Sequence, residues 1–234
     1  MGVQSRTGVT RPQGARMTTT DAPLKLCMIS GSFEYDSEES LTIFRDYIAT
    51  DYPVRPTLIV YQDEDDDQSL KPVDDADVLL VFTRRLNTGG EELERFKAYC
   101  AAGKPVVGVR TASHAFQNWL DFDKEVLGGS YAMHWDHGPE ARVRFEPAAA
   151  GHPLLTGVSE FSSAGSLYRN TPIADDATLL MSAAAAEHDE PVTWTRLHRG
   201  GRVFYTSLGH QEDFREPDFL RLLANAVLWC GGRL

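Results

Sequence analysis

Lys104–Trp119 reads KPVVGVRTASHAFQNW. Val106, Val107 and Val109 make a short apolar β-run, and Gly108 lets a neighbour pack close to the backbone. The chain then turns at Arg110-Thr111 into a predicted helix carrying Ser113, His114 and Phe116. A buried strand that bends sharply into a helix places its turn residue at the carboxyl edge of a sheet, where open α/β folds hold ligands. In hydrolases built this way the turn carries a strained nucleophile. Here that residue is Arg110, so neither thiolate nor alkoxide chemistry is expected at this corner.

Upstream, the pattern of apolar run followed by helical period repeats. Leu24–Ser30 is the first predicted strand, followed by the loop GSFEYDSEES. A helix from Ser37 to Thr50 has Leu41, Phe44, Tyr47 and Ile48 on one face, with Asp36 and Glu39 at capping-box spacing. Pro53 and Pro56 act as breakers before the strand Thr57–Tyr61. The five acids Asp63 to Asp67 lack the glycine turn of a calcium loop and read as a solvated run. Asp77–Thr83 is a third strand, ending in Arg84, Arg85 and Asn87. Thr88 and Glu91 suit a second capping box, and Gly103 with Pro105 closes that helix. Strands and helices that alternate four times, with β-branched apolar strands, imply a parallel sheet covered on both faces.

Downstream the rhythm changes. LGGSYAMHWDHGPE (127–140) reads as a loop, ARVRFEP (141–147) as a half-exposed strand, and FSSAGSLYRNTP (161–172) as a long polar loop. Ala177–Ala183, Pro191–Leu197 and Arg202–Leu208 are predicted strands, the last two joined by an Arg199-Gly200-Gly201 hairpin turn. Pro217 opens a final helix whose Phe219, Leu222, Leu223, Ala226 and Trp229 face inward.

Length and charge narrow the function classes. A chain of 234 residues is long enough for a large core without disulfides or a metal. The net charge of −11 argues against nucleic acid or an anionic membrane as partner. No apolar run approaches a membrane span. Cys27, Cys100 and Cys230 lie far apart in apolar runs, as buried thiols of a cytosolic protein would. Residues 1–23 carry three arginines and few large apolar groups, so we expect a disordered tail ahead of one domain over 24–234.

The runs GVRTASHAF (108–116), GHPLLTGV (151–158), GSLYRN (165–170), PVTWTR (191–196), GGRVFYTSLGH (200–210) and DFLRLLANAVLW (218–229) together resemble the trehalose-utilisation (ThuA-like) family. The resemblance spans Leu24 to Trp229. It implies a class I glutamine amidotransferase-like fold, a flavodoxin-like three-layer sandwich with a mostly parallel central sheet and an added β-hairpin. It also implies catabolism of disaccharides or their oxidised (3-keto) forms. Where amidotransferases read Gly-x-Cys-x-Gly-x-Gln, this chain has Gly108, Arg110, Ala112 and His114; their His-Pro-Glu is matched by His210-Gln211-Glu212. Many family members carry an acid pair before the loop tyrosine, where this chain has Gly165-Ser166-Leu167-Tyr168. Without a nucleophile, glutaminase chemistry is unsupported.

Arg110 is open to two readings: an anion or carbonyl clamp, or an ion pair with Glu212 or another acid. His114, one helical turn on, can share its cleft. His210 reads as a general base or sugar-hydroxyl partner, or as a turn residue bonded to backbone. His134 joins Arg110, His114 and His210 as a catalytic candidate. Arg84, Asn87, Trp135, Tyr168 and Asn170 are the substrate-binding candidates, because Tyr and Asn suit the face and hydroxyls of a pyranose. His134 and His137 could hold a divalent metal with a third ligand from His114 or His210, or serve separately. Two function classes follow: an enzyme acting on a sugar or keto-sugar by histidine acid/base chemistry, and a non-catalytic ligand-binding or interaction module on the same fold. A sugar is the expected small-molecule ligand, in the cytoplasm, with assembly into homo-oligomers left open.

Overall fold

The computed structural model describes residues 22–135 and 140–234. Eleven strands are found among them: β1 (Leu24–Gly31), β2 (Val54–Val60), β3 (Val78–Thr83), β4 (Val106–Val109), β5 (Met133–His134), β6 (Ala141–Phe145), β7 (Ser162–Ser163), β8 (Tyr168–Arg169), β9 (Thr178–Ala185), β10 (His188–His198) and β11 (Gly201–Thr206). Three α-helices accompany them: α1 (Ser37–Asp51), α2 (Gly90–Ala101) and α3 (Pro217–Cys230). Nine strands form one sheet in the order β2-β1-β3-β4-β11-β10-β9-β6-β7, and β5 pairs with β8 in a small second sheet. The five strands from β2 to β11 run parallel, and from β11 onward every pairing is antiparallel.

Alternation along the strands builds a three-layer sandwich. Side chains of successive strand residues point to opposite faces. Leu26 and Met28 of β1, with Val78, Leu80 and Phe82 of β3, join Leu41, Phe44 and Ile48 of α1 and Phe219, Leu222 and Leu223 of α3 in one core. Cys27 and Ile29, with Leu79 and Val81, join Leu93, Phe96 and Cys100 of α2 in the other. A Cβ on Gly108 would lie 2.9 Å from Leu127 and 3.0 Å from Tyr205, so the close approach expected there is real. The hairpin expected between the last two long strands also forms, with Arg199 and Gly200 at φ of 52° and 87°.

Several local expectations are corrected. β2 starts at Val54 and contains Pro56. It is the edge strand, bonded only to β1, so a residue without an N–H is tolerated there. Neither capping box forms. Asp36 is left-handed at φ 43°, and Ser37 Oγ accepts from the Ser32 N–H at 2.8 Å instead. The Thr88 hydroxyl donates to Tyr61 Oη at 3.1 Å, and α2 begins after Gly89. The helix expected after β4 is one 3₁₀ stretch, Arg110–His114. Within the two predicted loops lie β5, β7 and β8. The expected tail lies almost wholly outside the described residues.

Candidate functional site

β4 is buried along its whole length between β3 and β11, and it delivers Arg110 to the carboxyl edge of the parallel strands. There Arg110 adopts φ 46°, a left-handed conformation rare outside glycine. Its carbonyl accepts from the Tyr205 hydroxyl at 2.7 Å. The guanidinium is 1% exposed. Nη1 donates to Ser207 O at 2.8 Å, and Nη2 donates to Tyr35 Oη at 3.1 Å and to Ser166 Oγ at 3.2 Å. The Tyr35 and Tyr168 rings lie 4.3 and 4.7 Å from its central carbon. Nε is buried without a partner. Burial opposes the charge, but Tyr168, Tyr35 and the Asp213 carboxylate together outweigh it and keep the group protonated.

The alternative reading of Arg110, an ion pair with Glu212, is overturned. Glu212 bonds Arg215 at 3.0 Å, and among the described residues no carboxylate lies within ion-pair distance of Arg110. The nearby buried acid is Asp213, which accepts from Ser163 Oγ at 2.7 Å, Gly209 N at 2.8 Å and His210 N at 3.0 Å. It ties the His210 turn to the loop that brings Ser166 onto Arg110.

The four catalytic candidates gather around the two tyrosines that sandwich Arg110. His114 lies 6.3 Å and His134 6.5 Å from the Tyr168 ring, and His210 lies edge-on to Tyr35 at 6.0 Å. His114 is buried, bonded through Nδ1 to Ser113 Oγ at 3.0 Å and stacked on Tyr131 at 4.5 Å. Burial, then Arg85, Arg84 and Arg110, push its pKa down to about 3, so its imidazole is neutral at physiological pH. His210 is half-buried and also held below the usual histidine range, by burial and then Arg110.

Hydrogen bonds locate one ring proton on each of the other two histidines. A carbonyl can only accept, so the 3.3 Å contact of His134 Nδ1 with Trp135 O puts a proton on Nδ1. His210 Nδ1 accepts from the Glu212 N–H at 3.3 Å, so its neutral ring carries the proton on Nε2. A neutral His210 therefore has its donor at Nε2.

The binding candidates divide. Arg84 lies at the rim, its Nε 3.1 Å from Glu34. Tyr168 is 2% exposed, packed on Arg110 and Tyr131, and so is part of the floor. Asn87 is turned to the acidic run, with Nδ2 donating to Asp65 at 2.6 Å. Asn170 is buried, with Nδ2 donating to Pro191 O at 2.9 Å. Trp135 stacks on His188 at 3.7 Å, and its indole N–H donates to Glu190 at 3.4 Å. Tyr35, Tyr131, Ser166 and Asp213 were not singled out from sequence. Tyr35 lies on the loop leaving β1 at the ligand edge of a parallel sheet, and that position was a usable signal.

The metal expected at His134 and His137 falls partly outside the described residues. No three His, Cys, Asp or Glu side chains among them could hold an ion. His134 has one ring nitrogen turned to a backbone carbonyl, and His137 lies outside the described residues. The three cysteines are buried away from the site, and burial pushes the Cys27 and Cys100 thiols up to about 12.

With this geometry in place, the comparisons give the chain its class. The ThuA family model, described as trehalose utilisation, matches residues 33–230, and the chain belongs to that family, which gives it a carbohydrate-related setting. No curated protein matches it. A ThuA-like protein from Bacteroides uniformis superimposes with a TM-score of 0.69 at 21% identity, covering 93% of this chain and 95% of that one. A cytoplasmic protein from Salmonella typhimurium gives 0.59 at 16%, covering 88% and 99%. A glutamine amidotransferase from Thermotoga maritima gives 0.53 at 13%, covering 89% and 98%. At these identities the likeness establishes the amidotransferase-like, flavodoxin-like fold. Among the described residues no helix is long and apolar enough to cross a membrane.

Proposed function

We propose that the chain acts on a disaccharide or an oxidised (3-keto) sugar at the rim around Arg110, by histidine chemistry. The observation that carries this reading is the gathering of His114, His134 and His210 about Tyr168 and Tyr35, the two rings packed on the buried Arg110 guanidinium. In a 3-keto-glycoside, His134 would take the proton from C2, next to the carbonyl. The electron pair would form the C1–C2 double bond as the C1–O glycosidic bond breaks, and the leaving oxygen takes up a proton. His210 would donate its N–H to the carbonyl oxygen, where negative charge develops. His114, neutral and buried, and Arg110, 1% exposed, would position Tyr131, Tyr35 and Tyr168. Glycoside hydrolysis through two flanking carboxylates is less well supported. A reducing compartment such as the cytoplasm fits the three buried thiols.

The test is deuterium wash-in at C2 of a 3-keto-disaccharide in D₂O, followed by NMR together with cleavage. The wild type should exchange and cleave, and His134→Gln should slow both by about 10²–10⁴-fold. No exchange and no cleavage, with or without added divalent metal, would sink the enzyme reading. A non-catalytic binding module would then stand. One observation already favours it: the guanidinium fills the elbow where a nucleophile would act.

A further inference from the structure

The neighbouring parallel strands β3 and β4 end alike. Arg85, just beyond β3, and Arg110, just beyond β4, are both left-handed, at φ 49° and 46°. The Arg85 N–H donates to His114 O at 2.8 Å, tying the two ends together. Arg84 adds a third guanidinium at the same edge. Among the described residues only one of the three is ion-paired. Arg85 bonds the neutral Gln117 at 3.1 Å, Arg110 bonds hydroxyls and carbonyls, and only Arg84 meets a carboxylate, Glu34.

Among the described residues that carboxylate makes one ion pair, at 3.1 Å, and its side chain is 44% exposed. It sits on the 3₁₀ turn Phe33–Tyr35, directly before the Tyr35 that stacks on Arg110. Exposed Phe33 and Met133 are at hand as apolar surface: Phe33 precedes Glu34, and Met133 precedes His134 on β5. In a chain of net charge −11, three arginines lie close enough to the buried His114 to oppose its protonation.

We propose that the ligand of this site is an anionic sugar whose carboxylate or phosphate binds Arg84 and Arg85, displacing Glu34 from Arg84. Glu34 acts as an internal stand-in for the ligand anion and lowers affinity until it is displaced. The inference rests on the sugar reading for the nature of the ligand, but its anion subsite stands apart from the histidine chemistry.

Isothermal titration of the full chain at low and high salt tests it, with glucose 6-phosphate, gluconate, glucose, trehalose and inorganic phosphate as probes. The two anionic sugars should bind at least about tenfold more tightly than the neutral ones, since charge-assisted bonds are the stronger kind, and high salt should weaken them. Which of the two binds better distinguishes phosphate from carboxylate. Arg85→Gln and Arg84→Gln should weaken anionic probes by about tenfold and leave neutral ones unchanged. Glu34→Gln should tighten anionic probes, an effect that mere unfolding cannot mimic. Neutral sugars bound as tightly as anionic ones, or weaker anion binding in Glu34→Gln, would overturn the inference while leaving the sugar reading intact. Inorganic phosphate bound as tightly as glucose 6-phosphate would uphold the anion subsite and remove the sugar. Failure of every probe to bind would overturn both.

Discussion

Arg110 and Gly165 fit each other. A Cβ built on Gly165 would lie 2.7 Å from Arg110 Nη1 and 2.9 Å from its Cζ. The guanidinium needs the room that any larger residue at 165 would take. Arg110→Ala should cost about 2–4 kcal/mol, through the cavity and the unpaired Ser207 carbonyl. Gly165→Ala should cost about 1–3 kcal/mol by overpacking. In the Arg110→Ala background the second change should cost little, giving a coupling of about 1 kcal/mol or more in urea melts. Strict additivity would show that the clash relaxes elsewhere. The unusual arginine was visible in the sequence because it follows a buried apolar run. The need for Gly165 was not, since the two positions are far apart and no periodicity links them.

At the scale of elements, the segment after the elbow is held by one buried acid. Asp123 opens the helical turn Asp123–Leu127, and its Oδ2 accepts from the Tyr131 N–H at 2.8 Å, fixing the ring that stacks on His114. Its Oδ1 is buried without a partner, and a Cβ on Gly129 would lie 2.4 Å from it. Burial lifts the carboxyl from 3.8 to about 6, partly opposed by the Tyr131 bond. The folded state therefore holds a proton that the unfolded chain releases, and this contribution to stability is lost as pH rises from about 4 to 6. His114 works in the other direction. Its folded value of about 3 against 6.5 means the unfolded chain binds the extra proton, so stability grows as pH rises through the same window. The two slopes offset each other in the wild type. Asp123→Asn keeps an acceptor for Tyr131 and removes only the falling slope. Urea melts of the variant should therefore show stability climbing with pH, and near pH 7 it should exceed the wild type by on the order of 2–3 kcal/mol. Equal pH profiles would count against the raised carboxyl. None of this was legible from the sequence: a glycine- and aromatic-rich stretch carries no period, and β5 and β8 are two-residue strands made by each other's backbone across the chain.

For the whole molecule, four apolar runs and the helices between them identified the parallel half of the sheet, because strands buried on both faces leave an unmistakable hydrophobic record. The β10–β11 hairpin was announced by its turn residues, but the extension through β9 and β6 was legible only as separate strands, since their order depends on long-range pairing. A glutamine amidotransferase shares this architecture, while the elbow here carries Arg110 and no nucleophile, a difference that is testable at the level of the molecule. The wild type should release no ammonia from glutamine. Arg110→Cys should not restore the activity either, for reasons that lie beyond the missing sulfur. A catalytic histidine must face the nucleophile and be oriented by an acid. Here His210 Nδ1 is taken by the Glu212 N–H, and the Glu212 carboxylate is bonded to Arg215 and Asp213 is bonded to backbone and Ser163. Removing the guanidinium also takes away the group that Tyr35, Tyr168 and Ser166 are packed around. A coupled ammonia assay on both proteins, with melts to confirm that the variant is folded, reads the outcome. Glutamine hydrolysis by a folded Arg110→Cys variant would mean that the amidotransferase machinery is retained and that the arginine merely caps it, which would reverse the functional reading of the elbow.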